Sequence, residues 1–154
     1  MKYKEYNIKV VTTYFYKLRF FEKNMLPVSI CMWDPKWYKG MNYRSLVPKK
    51  YDPKIDCETC VEQNGYEFSK LDCHYLSNYN KQLSRYNQYR TLMDVIEKAD
   101  RYYNFSKCAI NGEIIIAFVG FEVPSKKCSE RFTLANWFMS DEEVKDDLVS
   151  INEF

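Results

Sequence analysis

An eight-residue apolar run, Ile114 to Phe121, is rich in β-branched and aromatic side chains. It is too short to cross a bilayer, so it predicts a strand buried on both faces at the centre of a sheet. Asn111-Gly112 is a turn signal just ahead of it. Behind it come Glu122, a Val-Pro-Ser-Lys-Lys loop, and Cys128-Ser129-Glu130-Arg131 opening an amphipathic helix. The apolar members of that helix are Phe132, Leu134, Ala135, Phe138 and Met139. The loop therefore falls at the carboxyl end of a central strand, where open α/β sheets bind ligands.

The remaining pattern fits around this strand. Ile8 to Phe15 is β-branched and aromatic and predicts the first strand, followed over Tyr16 to Lys23 by a short helix or turn limited by Pro27. Val28 to Trp33 predicts the second strand, ended by Asp34-Pro35, because the residue before proline is pushed out of the helical region. From Asn42 to Tyr66 there is no sustained period, which predicts a surface excursion. Over Phe68 to Tyr103, Leu76, Tyr79, Leu83, Tyr86, Tyr89, Leu92, Met93, Ile96 and Ala99 recur at steps of three or four. That is a helical stripe, with an expected break near Asn78 to Asn80. After Asp141 an acidic run suits the first turns of a helix or a solvated surface, and Leu148 to Asn152 a short edge strand. Strand, helix and strand in alternation predict an α/β domain with a largely parallel sheet in which three or four strands are visible.

Composition narrows the possibilities. At 154 residues, without a linker-like stretch, the chain predicts one domain with room for a core. A net charge of +2, from 23 basic and 21 acidic residues, excludes the long-range field of a general nucleic-acid binder but allows a small anion. Six cysteines are an even number, yet the chain is larger than the usual disulfide-dense domain, and MKYKEYNIKVV lacks the features of a signal peptide. Reduced thiols, a cytoplasmic location and no membrane partner are expected. Fourteen tyrosines, many lysines and asparagines and only four glycines point to an AT-rich coding genome of the kind common in phages. A tyrosine-rich surface also points to a homo-oligomer.

Four segments carry a family resemblance: Thr12-Thr13-Tyr14-Phe15, then Val28-Ser29-Ile30 with Pro35-Lys36-Trp37-Tyr38, then Tyr43 to Pro48, and Phe121-Glu122 with Arg131 and Trp137. In these the chain resembles the short form of the family called domain of unknown function 488. The resemblance implies an α/β three-layer sandwich, its small, mainly parallel central sheet flanked by helices, and it supplies no established reaction. Such proteins usually carry Cys-aromatic-Glu at the end of the central strand and Cys-His-Arg at the start of the next helix. Here Gly120 replaces the first cysteine, and Ser129, Glu130 and Arg131 fall on the Cys-His-Arg positions, with Cys128 one place earlier. Without the imidazole, a thiol there lacks the group that would lower its pKa or shuttle its proton, which favours binding without turnover.

Four constellations carry candidate chemistry. At the helix start, free N–H groups, Ser129 and a bidentate Arg131 can hold phosphate beside Lys126, Lys127 and Cys128. Alternatively, Ser129 is an ordinary cap and Arg131 pairs with Glu122. In the loop Trp33-Asp34-Pro35-Lys36-Trp37-Tyr38-Lys39, rings can stack on a base while lysines meet phosphate, with Thr12, Thr13 and Tyr14 completing the pocket. The alternative buries Trp33 and Trp37 at an edge of the core. Cys57, Cys60, Cys73 and His74 number enough for zinc, but adjacent Cys73 and His74 make a poor second pair, so no metal is expected. Glu122 sits where a base would be useful but lacks a carboxylate partner in sequence. No glycine-rich phosphate loop, nucleophile elbow or Walker lysine occurs, and no cofactor is expected.

The leading expectation is a protein that binds and sequesters a small nucleotide-like anion, in the setting of a phage protein countering nucleotide-signalling defence in a bacterial host. Two alternatives stay open. One is an enzyme acting on nucleotides or nucleic acid through Cys128 or Glu122, and the other is an inhibitor that docks on a host enzyme through exposed tyrosines.

Overall fold

The computed structural model describes residues 1–49, 74–121 and 130–154. Strands β1 (Lys2–Tyr3), β2 (Tyr6–Tyr14), β3 (Met25–Ser29) and β4 (Met41–Asn42) come first, with 3-10 helices at Phe15–Phe20 and Arg44–Leu46. Helices α1 (His74–Leu83), α2 (Gln88–Tyr103) and α3 (Phe105–Cys108) precede β5 (Glu113–Gly120). Helices α4 (Glu130–Met139) and α5 (Glu142–Leu148) and strand β6 (Asn152–Glu153) follow it. The sheet order is β1-β2-β5-β3-β4, with β6 also paired to β2. Only β1 runs antiparallel to its neighbour. This is the α/β domain with a mainly parallel sheet that the alternation predicts, and its layering is that of an α/β sandwich. Among the described residues no helix is long and apolar enough to cross a membrane.

β5 is central because its composition lets it be. Ile114 and residues 116 to 119 are wholly buried, and β2 pairs along its full length, with Ile8 opposite Ile114 and Tyr14 opposite Gly120. Successive side chains of a strand point to opposite faces. Ile8 and Val10 of β2, Leu26 and Val28 of β3, and Ile114, Ile116 and Phe118 of β5 share one core with Tyr79, Leu92, Ile96, Phe138 and Val144 from the helices. On the other face Val119 packs with Phe15 and Cys31, against which Leu18 and Tyr38 lie. The 3-10 helix and the aromatic loop thus form the layer opposite the helices.

Several boundaries differ from expectation for identifiable reasons. β3 begins at Met25, not Val28, and runs through Pro27. Proline is tolerated there because its C=O, and with it the missing N–H, faces away from β5 at a level that β4 has not reached. The Tyr103 hydroxyl donates to Pro27 O at 2.5 Å and accepts from Met41 N at 2.9 Å, while Tyr38 Oη donates to Met41 O at 2.7 Å. Tyrosine hydroxyls therefore do the work of a missing strand, and burial pushes the Tyr103 phenol up to about 12. The helical stripe breaks after Leu83, and Asn87 restarts it by accepting from Arg90 N at 2.9 Å. The acidic tail run is a helix capped by Asp141, which accepts from Val144 N at 3.1 Å. Val149 follows with φ 69° and ψ −50°, and Ser150 N donates to Leu148 O at 2.8 Å. That is a γ-turn in its strained form, placed just ahead of β6.

Gly40 has no room for a side chain, because a Cβ would lie 2.8 Å from the Tyr103 hydroxyl and closer still to the ring of Tyr38. Both rings are pinned by their hydroxyls, so Gly40→Ala is expected to destabilise the fold by about 1–3 kcal/mol, read from the urea midpoint. A second prediction concerns Asp94, whose carboxylate accepts from Tyr43 Oη at 2.5 Å and pairs with Lys98 at 2.9 Å. The Tyr43 hydrogen bond, reinforced by Lys98, holds this carboxyl below its ordinary 3.8. A carboxyl depressed on folding contributes stability above its unfolded pKa and loses it as pH falls through the folded value. Tyr43→Phe is therefore expected to cost most at neutral pH, and urea titrations should show the gap to the parent narrowing below about pH 4.

Candidate functional site

Strands β2, β5 and β3 end on one level, with Tyr14 opposite Gly120 and Ser29 opposite Val119. Beyond β2 the chain tightens into FYKLRF, a 3-10 helix in which residues three apart eclipse. Three ridges result. Phe15 and Leu18 turn onto the sheet. Tyr16 and Arg19 form the second ridge, with the guanidinium 4.0 Å from the ring centroid and Nε donating to Tyr16 O at 3.2 Å. Lys17 and Phe20 form the third, the ammonium 5.9 Å from the ring centroid.

The loop after β3 is held by Asp34. Its carboxylate accepts from Ser29 Oγ and, at 3.2 Å, from Asn42 Nδ2, which also donates to Cys31 O at 3.0 Å. With Tyr38 fixed by its hydroxyl, the neighbouring Trp37 stands edge-on to Phe15, centroids 6.0 Å apart at 88°. Trp37 remains 58% exposed. Phe15, Tyr16, Leu18, Arg19 and Trp37 line a cavity of about 390 Å³, within the size range of small-molecule sites. Phe121, also exposed, lies 6.1 Å from Phe15 at the end of β5. The walls are aromatic and the one ionic group among these lining residues is a guanidinium, a combination suited to a planar ring carrying negative charge.

The expected site residues divide. Trp37 lines the cavity with exposed Lys36 beside it in sequence, whereas Trp33 is 81% exposed. Tyr38 is an anchor within the fold, its ring edge-on to Phe15 at 5.3 Å. Thr12 and Thr13 are buried under the tail: Thr12 O accepts from Phe154 N at 2.7 Å, and Thr13 Oγ1 donates to Phe154 O at 3.3 Å. Arg131 is fully buried, its Nε 2.9 and 3.1 Å from the two Glu153 oxygens. Its guanidinium also lies 5.6 Å from the ring centroid of Tyr14 and 4.7 Å from that of Phe132. Glu122, Lys127, Cys128 and Ser129 lie outside the described residues, as do Cys57, Cys60 and Cys73 of the zinc candidates, while His74 opens α1.

Two features are absent from the expectation. One is Arg19 with Tyr16, whose only sequence signal is a ring and a cation three residues apart in a stretch too short for an α-helix period. The other is a buried cluster in which Cys31 Sγ lies 3.8 Å from Glu130 Oε1 and 3.7 Å from Val119 O. Tyr79 adjoins it, donating to Leu46 O at 2.5 Å. Burial, then Glu130 and Cys31, push its phenol well above the ordinary value. Sequence could not join Cys31 to Glu130 because 99 positions separate them.

No protein-family model matches the chain, and no curated protein or solved structure does.

Removing the carboxylate from Arg131 strips a buried cation of its partner on β6. Glu153→Gln is expected to cost about 1–3 kcal/mol in urea unfolding, less than a wholly buried pair because Glu153 is partly solvated.

Proposed function

We propose that this chain binds a small nucleotide-like anion and holds it without turning it over. The observation that carries the reading is the cavity between Trp37 and the Tyr16–Arg19 ridge at the carboxyl end of the sheet. A base enters against the Trp37 ring on one side and the guanidinium of Arg19, itself backed by Tyr16, on the other. Arg19 and the lysines of the neighbouring loop meet the phosphate. The missing imidazole of the resembled family favours sequestration over chemistry, and capture of a defence signal by a phage protein is the setting that fits it. A second reading, an enzyme on nucleotides, draws on the contact between Cys31 and Glu130, the latter standing where that family carries its histidine.

The test is to incubate the purified protein with a nucleotide mixture, remove free ligand, denature, and identify the released molecules by mass spectrometry. An unchanged nucleotide at stoichiometric yield is the expected result. Trp37→Ala and Arg19→Ala should each weaken its binding about tenfold or more, read by isothermal titration. Recovery of a converted product that disappears with Cys31→Ser would replace this reading with the enzymatic one. Nothing retained and nothing converted would sink both.

A further inference from the structure

The 3-10 helix beside the cavity carries a second ring and cation pair that a ligand confined to the cavity does not use. Phe20 is 56% exposed, and the Lys17 ammonium lies over its ring at 5.9 Å. Its neighbour across the groove between ridges is Tyr16, 53% exposed, with ring centroids 6.0 Å apart and planes tilted by 59°. That tilt matters. Arg19 lies over Tyr16 at 4.0 Å, so a base in the cavity meets that cation and ring layered together, and a base on Phe20, tilted by 59° to Tyr16, is not stacked on it.

We infer that the ligand of this site is a dinucleotide bound with its bases splayed, one in the Trp37–Arg19 cavity and the other on Phe20, with Lys17 at the phosphate that joins them. The inference rests on the binding reading above and extends it to the class of ligand. Charge complementarity selects the occupant. The two exposed rings of the 3-10 helix, Tyr16 and Phe20, each carry a cation, an arrangement that suits a ligand with more than one base and phosphate better than a purely apolar partner. The near neutrality of the whole chain fits a short anion better than a long strand, because a long strand draws its affinity from many phosphate contacts.

The experiment compares adenosine monophosphate, diadenylate and hexaadenylate by isothermal titration on the full chain and on Phe20→Ala, Phe20→Trp and Lys17→Gln. Diadenylate is expected to bind about tenfold tighter than the monophosphate, with a rise in its ultraviolet absorbance as the bases unstack. Phe20→Ala should abolish that gain and leave monophosphate affinity within about twofold, Phe20→Trp should restore it, and Lys17→Gln should reduce its salt dependence. Equal affinity for monophosphate and diadenylate, or a gain indifferent to Phe20, overturns the second station while leaving the cavity reading intact. A further tenfold gain for hexaadenylate overturns the two-base limit. Failure of all three to bind the full chain overturns the cavity reading and this inference together.

Discussion

The constraint on which the structure depends is that β5 must be dry on both faces and paired on both edges. Its eight residues offer no polar side chain beyond Glu113, so each backbone group has to find its partner in a neighbouring strand. β2 supplies one edge over eight residues and β3 the other over five. Both run parallel to β5, which forces long crossovers and brings the carboxyl ends of all three strands to one side. The helices, stacked on Ile116 and Phe118, and the aromatic layer over Val119 follow from the same demand.

At that carboxyl end, two arginines have opposite fates. Arg131 sits on the helix after β5, where a phosphate would be expected, but it is sealed from solvent and satisfied in part by Glu153. A buried guanidinium is costly unless paired, and the tail that covers it supplies Glu153 as a partner. Arg19 is exposed and spread over Tyr16. It keeps its charge in water while presenting a flat face, so it can meet an incoming anion without first giving up an ion pair. The local tightness of the 3-10 helix, which sets residues three apart in line, gives it that position.

Much of this was legible in the sequence, and the limits have physical causes. β5 and the amphipathic stripe of α2 are readable because each is long or periodic enough to declare its burial, whereas the tail strand, expected over Leu148 to Asn152, is the exposed pair Asn152–Glu153, with Leu148 still in the helix before it. Pro27 was misleading: it reads as a strand boundary, yet its carbonyl, which has no neighbouring strand N–H to accept from, accepts from the hydroxyl of Tyr103, 76 positions away. Trp37 and Tyr38 read alike as candidate stacking rings, since only tertiary packing shows which of two adjacent rings holds the loop and which faces outward. Thr12 and Thr13 end a strand in the manner of ligand residues, and nothing local reveals that the tail lies across them. Arg19 escaped because a six-residue 3-10 helix is shorter than the window over which hydrophobic periodicity can be judged.

The pairing of Ile8 with Ile114 brings together positions more than a hundred residues apart. Closing a loop of that length costs about 4 kcal/mol in chain entropy before any sheet contact repays it. The fold therefore belongs among those whose rate is set by distant contacts, with helices forming early and the sheet late. During synthesis β2 emerges well before β5 and must wait, paired only with the two-residue β1, until β5 arrives. Lys2, Lys4 and Lys9 stand along and beside that waiting strand, exposed in the finished molecule. Like the charges that natural sheets place on open edges, they give β2 a means of staying out of the wrong partnership until the right one exists.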